Sequence, residues 1–229
     1  VESKQSQLKY YTDIQITEDL RTTVMASTSR LRRWAEDNLS DPATRDRFVW
    51  YTEIIEQFLE PGIEARNRFM AENIARLHSR SPSEKVTFFA HNTHVGKGKS
   101  VMGDRETGDW LCERFGSDYY VIGTCFNRGA YLAGNIYNDR YMNVYAFPGM
   151  PGSYEYMFGS MGRPRFFLNW RGVRQNNDNA WLFHPMLLRS TGSQWGLNEF
   201  YPVPLTERFD AVVFIEQSEP ITSYYRIDQ

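Results

Sequence analysis

The chain reads as an α/β protein: a three-layer parallel or mixed sheet flanked by helices, preceded by an N-terminal helical hairpin or bundle. Three observations predict this. Residues 6–77 are charged, Gly-poor and helical in rhythm. From Lys85 onward short, apolar, β-rich runs alternate with helical stretches. The last run, Phe209 to Glu216 (FDAVVFIE), is strongly apolar. Strand–helix–strand alternation is the pattern of a sheet whose parallel strands are joined by crossovers. The change of period divides the chain into residues 1–80, a helical subdomain and lead-in helix, and residues 81–229, the α/β portion.

Each element has its own signal. Leu20, Val24, Leu31, Trp34 and Leu39 recur at spacings compatible with one face of a long helix, with Thr17 and Asp19 placed to cap it. Ser40 or Asp41 then serves as N-cap with Pro42 at the first helical position, and the second helix runs through Phe48, Tyr51, Ile55, Phe58 and Leu59. A third carries Ile63, Phe69, Met70, Ile74 and Leu77. Val86 to Ala90 reads as a buried strand, Thr107–Phe115 as a helix ended by Gly116, and Tyr119 to Phe126 as a second buried strand. Tyr131 to Phe147 is hairpin-like, Ser153 opens a short helix, Arg165 to Trp170 is a strand, and residues 171–179 form a loop.

Composition narrows the function. The 229 residues are 41% apolar, 24% charged and 15% aromatic, with net charge −2. That is an ordinary globular composition, and it leaves no electrostatic case for a nucleic-acid partner or an anionic membrane. No run approaches the roughly 18 apolar residues of a membrane span. Cys112 and Cys125 fit neither a CxxC redox pair nor a four-ligand zinc site; two buried thiols are expected, with one bridge as the alternative.

The richest segment is Phe88-Phe-Ala-His-Asn-Thr-His-Val-Gly96. Two of the four histidines, His91 and His94, lie three apart just beyond a strand, at the sheet edge where α/β proteins bind ligands. A neutral imidazole there can take a proton or orient water. Three readings stand open: local packing, a metal site lacking its third ligand, and a metal-free hydrolytic or binding site. The following Gly96-Lys-Gly-Lys-Ser100 lacks the first Gly of a phosphate loop, since Thr93 stands there, and reads as a cationic loop. On the third helix Arg66 and Asn73, seven apart, share a face; an arginine aimed into a crevice offers permanent charge to a carboxylate or oxyanion. Asn73 on that helix, Asn92 within the histidine segment, and Trp170, after a strand, are candidate substrate contacts. No GxSxG elbow supports a serine nucleophile.

At these residues the sequence resembles the erythromycin esterase family. The resemblance rests on Arg-x-x-x-Met-Ala-x-Asn (Arg66 to Asn73), Ala-His-Asn-x-His (Ala90 to His94), Tyr-x-x-Gly (Tyr120 to Gly123), Ser-Tyr-Glu-Tyr-Met (Ser153 to Met157) and Phe-Asp-Ala-Val-Val-Phe-Ile (Phe209 to Ile215). It covers about Ile63 to Ile221, and the preceding helices fit the family's helical subdomain. It implies a metal-independent ester hydrolase in which a histidine activates water, with a macrolide lactone as namesake substrate and no cofactor. Carried over, His91, His94 and Arg66 are catalytic. Asn67 stands where the family commonly has Asp after the arginine, which weakens an Arg–Asp orienting pair.

The family's His-Gly-x-x-Glu-type segment, with the water-activating histidine and glutamates, is not found in these 229 residues. The expectation is therefore the C-terminal portion of a longer esterase, its partners a small-molecule ester and the N-terminal half of the same chain, in the cytoplasm. The alternative is a catalytically silent domain on the same scaffold that binds a small ligand or haem.

Overall fold

The computed structural model describes residues 15–99, 103–135, 141–191, 194–195 and 199–221. Three helices come first: α1 (Glu18–Asn38), α2 (Pro42–Gln57) and α3 (Ile63–Arg80). The caps are those the sequence signals. The Thr17 hydroxyl accepts the Leu20 N–H at 3.2 Å, and Asp41 accepts the Thr44 N–H at 2.9 Å with Pro42 opening α2. The predicted apolar stripe on α1, however, is not its buried face. Leu20, Leu31 and Trp34 are exposed, while Thr28 and Ala35 are buried. The contact with α2 is polar instead: Arg32 donates to Thr52 and Glu56, and Thr28 donates to Glu56.

After α3 come a one-turn helix α4 (Asn92–Val95) and α5 (Thr107–Phe115), ended by Gly116 as expected. The long strand β1 (Ile122–Asn135) follows, then β2 (Tyr141–Ala146), α6 (Tyr154–Gly159) and β3 (Arg165–Asn169). The rest is β4 (Met186–Arg189), β5 (Gln194–Trp195), β6 (Phe200–Val203), α7 (Leu205–Arg208) and β7 (Ala211–Ser218).

The main sheet is mixed and runs β2-β1-β7-β3, with β5 also pairing β1. β1 and β7 are parallel; β2 and β3 are antiparallel to their neighbours. β1 changes partner at Gly129, pairing β7 over Ile122–Gly129 and β2 over Gly129–Gly134. Gly129 has φ 125°, and a Cβ there would meet the Ser218 carbonyl oxygen at 2.1 Å, so no other residue fits the crossover. β4 and β6 form a separate antiparallel pair.

One face of the sheet carries the core. Phe158 of α6 is fully buried and meets Phe166, Phe214 and Trp181 edge-on, with centroids 5.5–6.3 Å apart. Ile122, Ile215 and Phe167, which the register places together on the opposite face, are each exposed.

Val86 to Ala90 departs from expectation. It joins no strand among the described residues. Phe88 and Ala90 pack on the core, but Phe89 is 94% exposed. An apolar run becomes a buried strand only when a ladder neighbour and two covered faces are supplied, and here the edge of β1 nearest His91 is occupied by a side chain, described below. Neither thiol is bridged: Cys125 is buried and Cys112 half-buried.

Asp210, just ahead of β7, ties the start of that strand to its neighbours. Its Oδ1 receives Lys97 at 2.7 Å and Arg171 at 2.9 Å, and its Oδ2 the Val121 N–H at 2.8 Å. Burial would raise this carboxyl, but Lys97, the Val121 amide and Arg171 together hold it below its usual range. A depressed carboxylate stabilises the fold above its unfolded value of 3.8, and that contribution is lost as pH falls through the folded value. Asp210→Ala should cost about 2–4 kcal/mol in denaturant melts, through charges left unpaired. The variant's stability should also fall less than wild type's on acidification. Phe158→Ala should cost about 3–5 kcal/mol by cavity formation, with no such change in pH dependence.

Candidate active site

Five contacts seat the histidine turn. His91 is the N-cap of α4, its Nδ1 accepting the Thr93 N–H at 3.3 Å. The Asn92 carboxamide lies along the free edge of β1, donating to Thr124 O at 2.6 Å and accepting Thr124 N–H at 3.0 Å. It satisfies both backbone groups of one residue, as a neighbouring strand would. Tyr119 O–H donates to Val95 O at 2.7 Å, and Lys97 is held by Asp210. Behind the turn, Gly108 of α5 comes so close that a Cβ would lie 2.2 Å from Val95 O.

The two imidazoles have different environments. His91 is exposed, yet both ring nitrogens are engaged: Nε2 donates to Thr191 O at 2.8 Å, and Nδ1 accepts from the Thr93 hydroxyl at 2.9 Å. A carbonyl can only accept, so these partners assign the proton to Nε2. His94 is half-buried, with its Nε2 3.5 Å from Arg66 Nη1, long for a hydrogen bond. A guanidinium only donates, so this nitrogen carries the lone pair. Burial first, then the charge of Arg66 and the proximity of His91, hold His94 below the ordinary histidine value of 6.5. Near neutral pH it is an uncharged imidazole beside a permanent cation.

Arg66, His91 and His94 are thus brought together, Arg66 reaching across from α3. The other expected contacts lie elsewhere or are already occupied. Asn73 faces α2, accepting from Trp50 Nε1 at 2.9 Å and donating to Gln57 at 3.0 Å. The seven-residue spacing from Arg66 is real, but the helix has turned toward its neighbour. Trp170 is a core residue whose Nε1 donates to Phe209 O at 2.7 Å. Asn92 is beside the histidines with its amide committed to β1. Asn67, buried, donates to Arg105 O at 3.0 Å; a carboxylate could not, which gives the asparagine a structural reason.

In the cationic loop Lys97 pairs with Asp210, and Ser100 lies outside the described residues. Arg208 of α7 meets the buried Glu106 and the Lys99 carbonyl; burial pushes Glu106 up to about 7 despite that arginine. Sequence reasoning did not single out this pair or Glu155, discussed below. Among the described residues no three His, Cys, Asp or Glu side chains are grouped to hold a metal ion, and no helix is long and apolar enough to cross a membrane.

Fold and site together define a class: an α/β protein whose mixed sheet presents a His-x-x-His turn and an arginine at a strand edge. The chain belongs to the erythromycin esterase family, whose pattern it matches over residues 5–218. Among solved structures it is similar to a Bacillus cereus protein, with TM-score 0.76 and 20% identity over 88% of this chain and 52% of that one. It is similar also to a succinoglycan biosynthesis protein (0.74, 20%, 95% and 56%). A third likeness is to a histidine-to-asparagine variant of the erythromycin esterase EreC in its open conformation (0.59, 18%, 87% and 52%). The chain spans about half the length of these proteins, and at such identities the likeness is one of fold. No curated protein matches it.

Replacing Arg66 by Met should raise the His94 pKa toward, but not to, its ordinary value, because burial remains. Proton NMR titration of the ring measures this. A histidine depressed in the folded state lowers stability as pH falls below 6.5 toward the folded value, so Arg66→Met should also flatten that acid limb.

Proposed function

We propose that this chain supplies the carbonyl-binding side of a metal-independent ester hydrolase for a small-molecule ester, lactones included. The observation that carries the reading is the contact between the charged guanidinium of Arg66 and the uncharged imidazole of His94. A substrate carbonyl oxygen that engages Arg66 gains a cation where negative charge develops during attack, the term that dominates acyl-transfer catalysis. The same engagement draws Arg66 from His94 Nε2, freeing a lone pair to accept a proton during turnover. His91, held through both nitrogens, orients the turn and leaves proton transfer to His94.

The family's His-Gly-x-x-Glu-type segment is the natural complement, bringing the water-activating histidine and its glutamates. It belongs to an N-terminal half of the same polypeptide and would meet this chain along the β1 edge and the exposed side of the sheet. Exposed Ile122, Ile215, Phe167 and Phe89 support that partner, since such surface is costly to leave in water. A macrolide lactone is the first substrate to test, and the cytoplasm the compartment where such a detoxifying activity would act.

One observation favours a silent ligand-binding domain instead. The His91 lone pair is spent on the α4 cap, so one of the two histidines is unavailable as a base. Turnover of an ester panel that includes erythromycin, by the polypeptide carrying this chain and its N-terminal half, separates the readings. Hydrolysis to the carboxylic acid, unaffected by chelator and reduced about 10²–10⁴-fold in kcat/KM by His94→Ala, is the expected result. Unchanged kcat/KM in that variant removes His94 from proton transfer, and no hydrolysis of any ester favours the binding reading.

A further inference from the structure

A buried carboxyl that the proposed chemistry does not use lies behind His91. Glu155, the second residue of α6, is fully buried; its Oε1 accepts the Arg189 N–H at 2.8 Å, and its Oε2 is enclosed without a partner among the described residues. Burial, opposed chiefly by the Arg189 amide, raises its pKa and favours the neutral acid. A carboxyl placed in a core with one oxygen unmatched costs free energy that an apolar side chain would not, so packing alone does not account for it.

The strand geometry shows what it holds. In an extended chain the backbone groups of alternate residues face the same side. On β4 the inner side serves β6, and it continues past the strand, where the Ser190 N–H donates to Glu199 O at 2.6 Å. The outer side receives no strand; there the Leu187 N–H donates to Gly152 O at 3.3 Å, the Arg189 N–H meets Glu155, and Thr191 O accepts His91 Nε2–H. Glu155 and His91 are therefore consecutive partners on one edge, two residues apart. The Arg189 guanidinium braces the same point, donating to the Asn127 and Phe147 carbonyls and stacking over Phe126 and Phe200 at 5.3 and 4.9 Å.

We propose that Glu155 is a positioning residue for the histidine turn: its buried carboxyl pins the backbone at Arg189 and so sets the Thr191 carbonyl that orients the His91 ring. This rests on reading His91 as part of the proposed ester site, and it deepens that reading, because the tautomer of His91 then depends on a group on a different element.

The test uses ¹⁵N NMR of the His91 ring, amide exchange at Arg189, and ester turnover by the longer polypeptide. Glu155→Gln, which keeps a neutral acceptor of the same shape, should preserve the Nε2–H pattern and kcat. Glu155→Ala should move the ring resonances toward a mixture of tautomers and lower kcat about tenfold with KM little changed, the scale of lost second-layer support. An unaltered His91 spectrum in Glu155→Ala would overturn the proposal, as would a Gln variant as impaired as the Ala variant. If the Ala variant does not fold, the wild-type protein still decides. Strong exchange protection at Arg189 supports the pin, and exchange as fast as in the exposed 171–179 loop defeats it. The ring readout is independent of activity, so absent turnover with a shifted tautomer would sink the esterase reading and leave this one standing.

Discussion

Asp210 is the constraint on which the rest of the molecule hangs. Its carboxylate and backbone together join four segments far apart in sequence: the start of β1 through Val121, the end of β3 through the Trp170 N–H and Arg171, the start of β7, and the histidine turn through Lys97. The parallel β1–β7 pair has no hairpin to set its register, so something else must. A half-exposed ion pair would contribute little, but this carboxylate is largely buried, and its partners include a backbone amide that cannot swing away. The register of the sheet and the seat of the histidine turn are consequently one problem with one solution.

What could be read from sequence follows from the range of the interactions involved. Caps at Thr17, Asp41 and Ser153, and the stop at Gly116, are decided by neighbours a few residues away, and the structure has all four. The β4–β6 pair was missed because its strands are short and β6 carries Pro202, a residue that demotes a strand signal. Val86 to Ala90 had the composition of a strand but depends on a neighbour that local sequence does not specify. The α1 stripe failed for a related reason: spacing identifies a face, while its partner decides whether that face is covered.

The site divides along the same line. His91, His94 and Arg66 were legible because they lie in a short motif and a helix just ahead of it, both tied to one turn. Asn73 and Trp170 were drawn in by periodicity and adjacency, which cannot tell a cleft from a helix interface or a core. Glu155 lies inside the Ser-Tyr-Glu-Tyr-Met segment but gave no signal of a role of its own, since a Glu in a helical first turn reads as a favourable dipole partner. Only the fold reveals that this first turn points inward.

The contrast between the two histidines is where fold becomes chemistry. They are three residues apart on one turn, yet one is bound through both nitrogens while the other keeps a lone pair facing a cation. That difference comes from what neighbouring elements present to each: a carbonyl beyond β4 to His91, and the guanidinium carried by α3 to His94. A second free imidazole on this turn would compete with His94 as proton acceptor and blur the proton's path. Fixing one ring lets the turn act as a rigid mount, while burial and Arg66 together keep His94 uncharged and lower its basicity, so withdrawing Arg66 makes it the stronger proton acceptor. Any substrate that takes Arg66 also changes the electrostatic setting of His94, so binding and proton acceptance are coupled through a single contact.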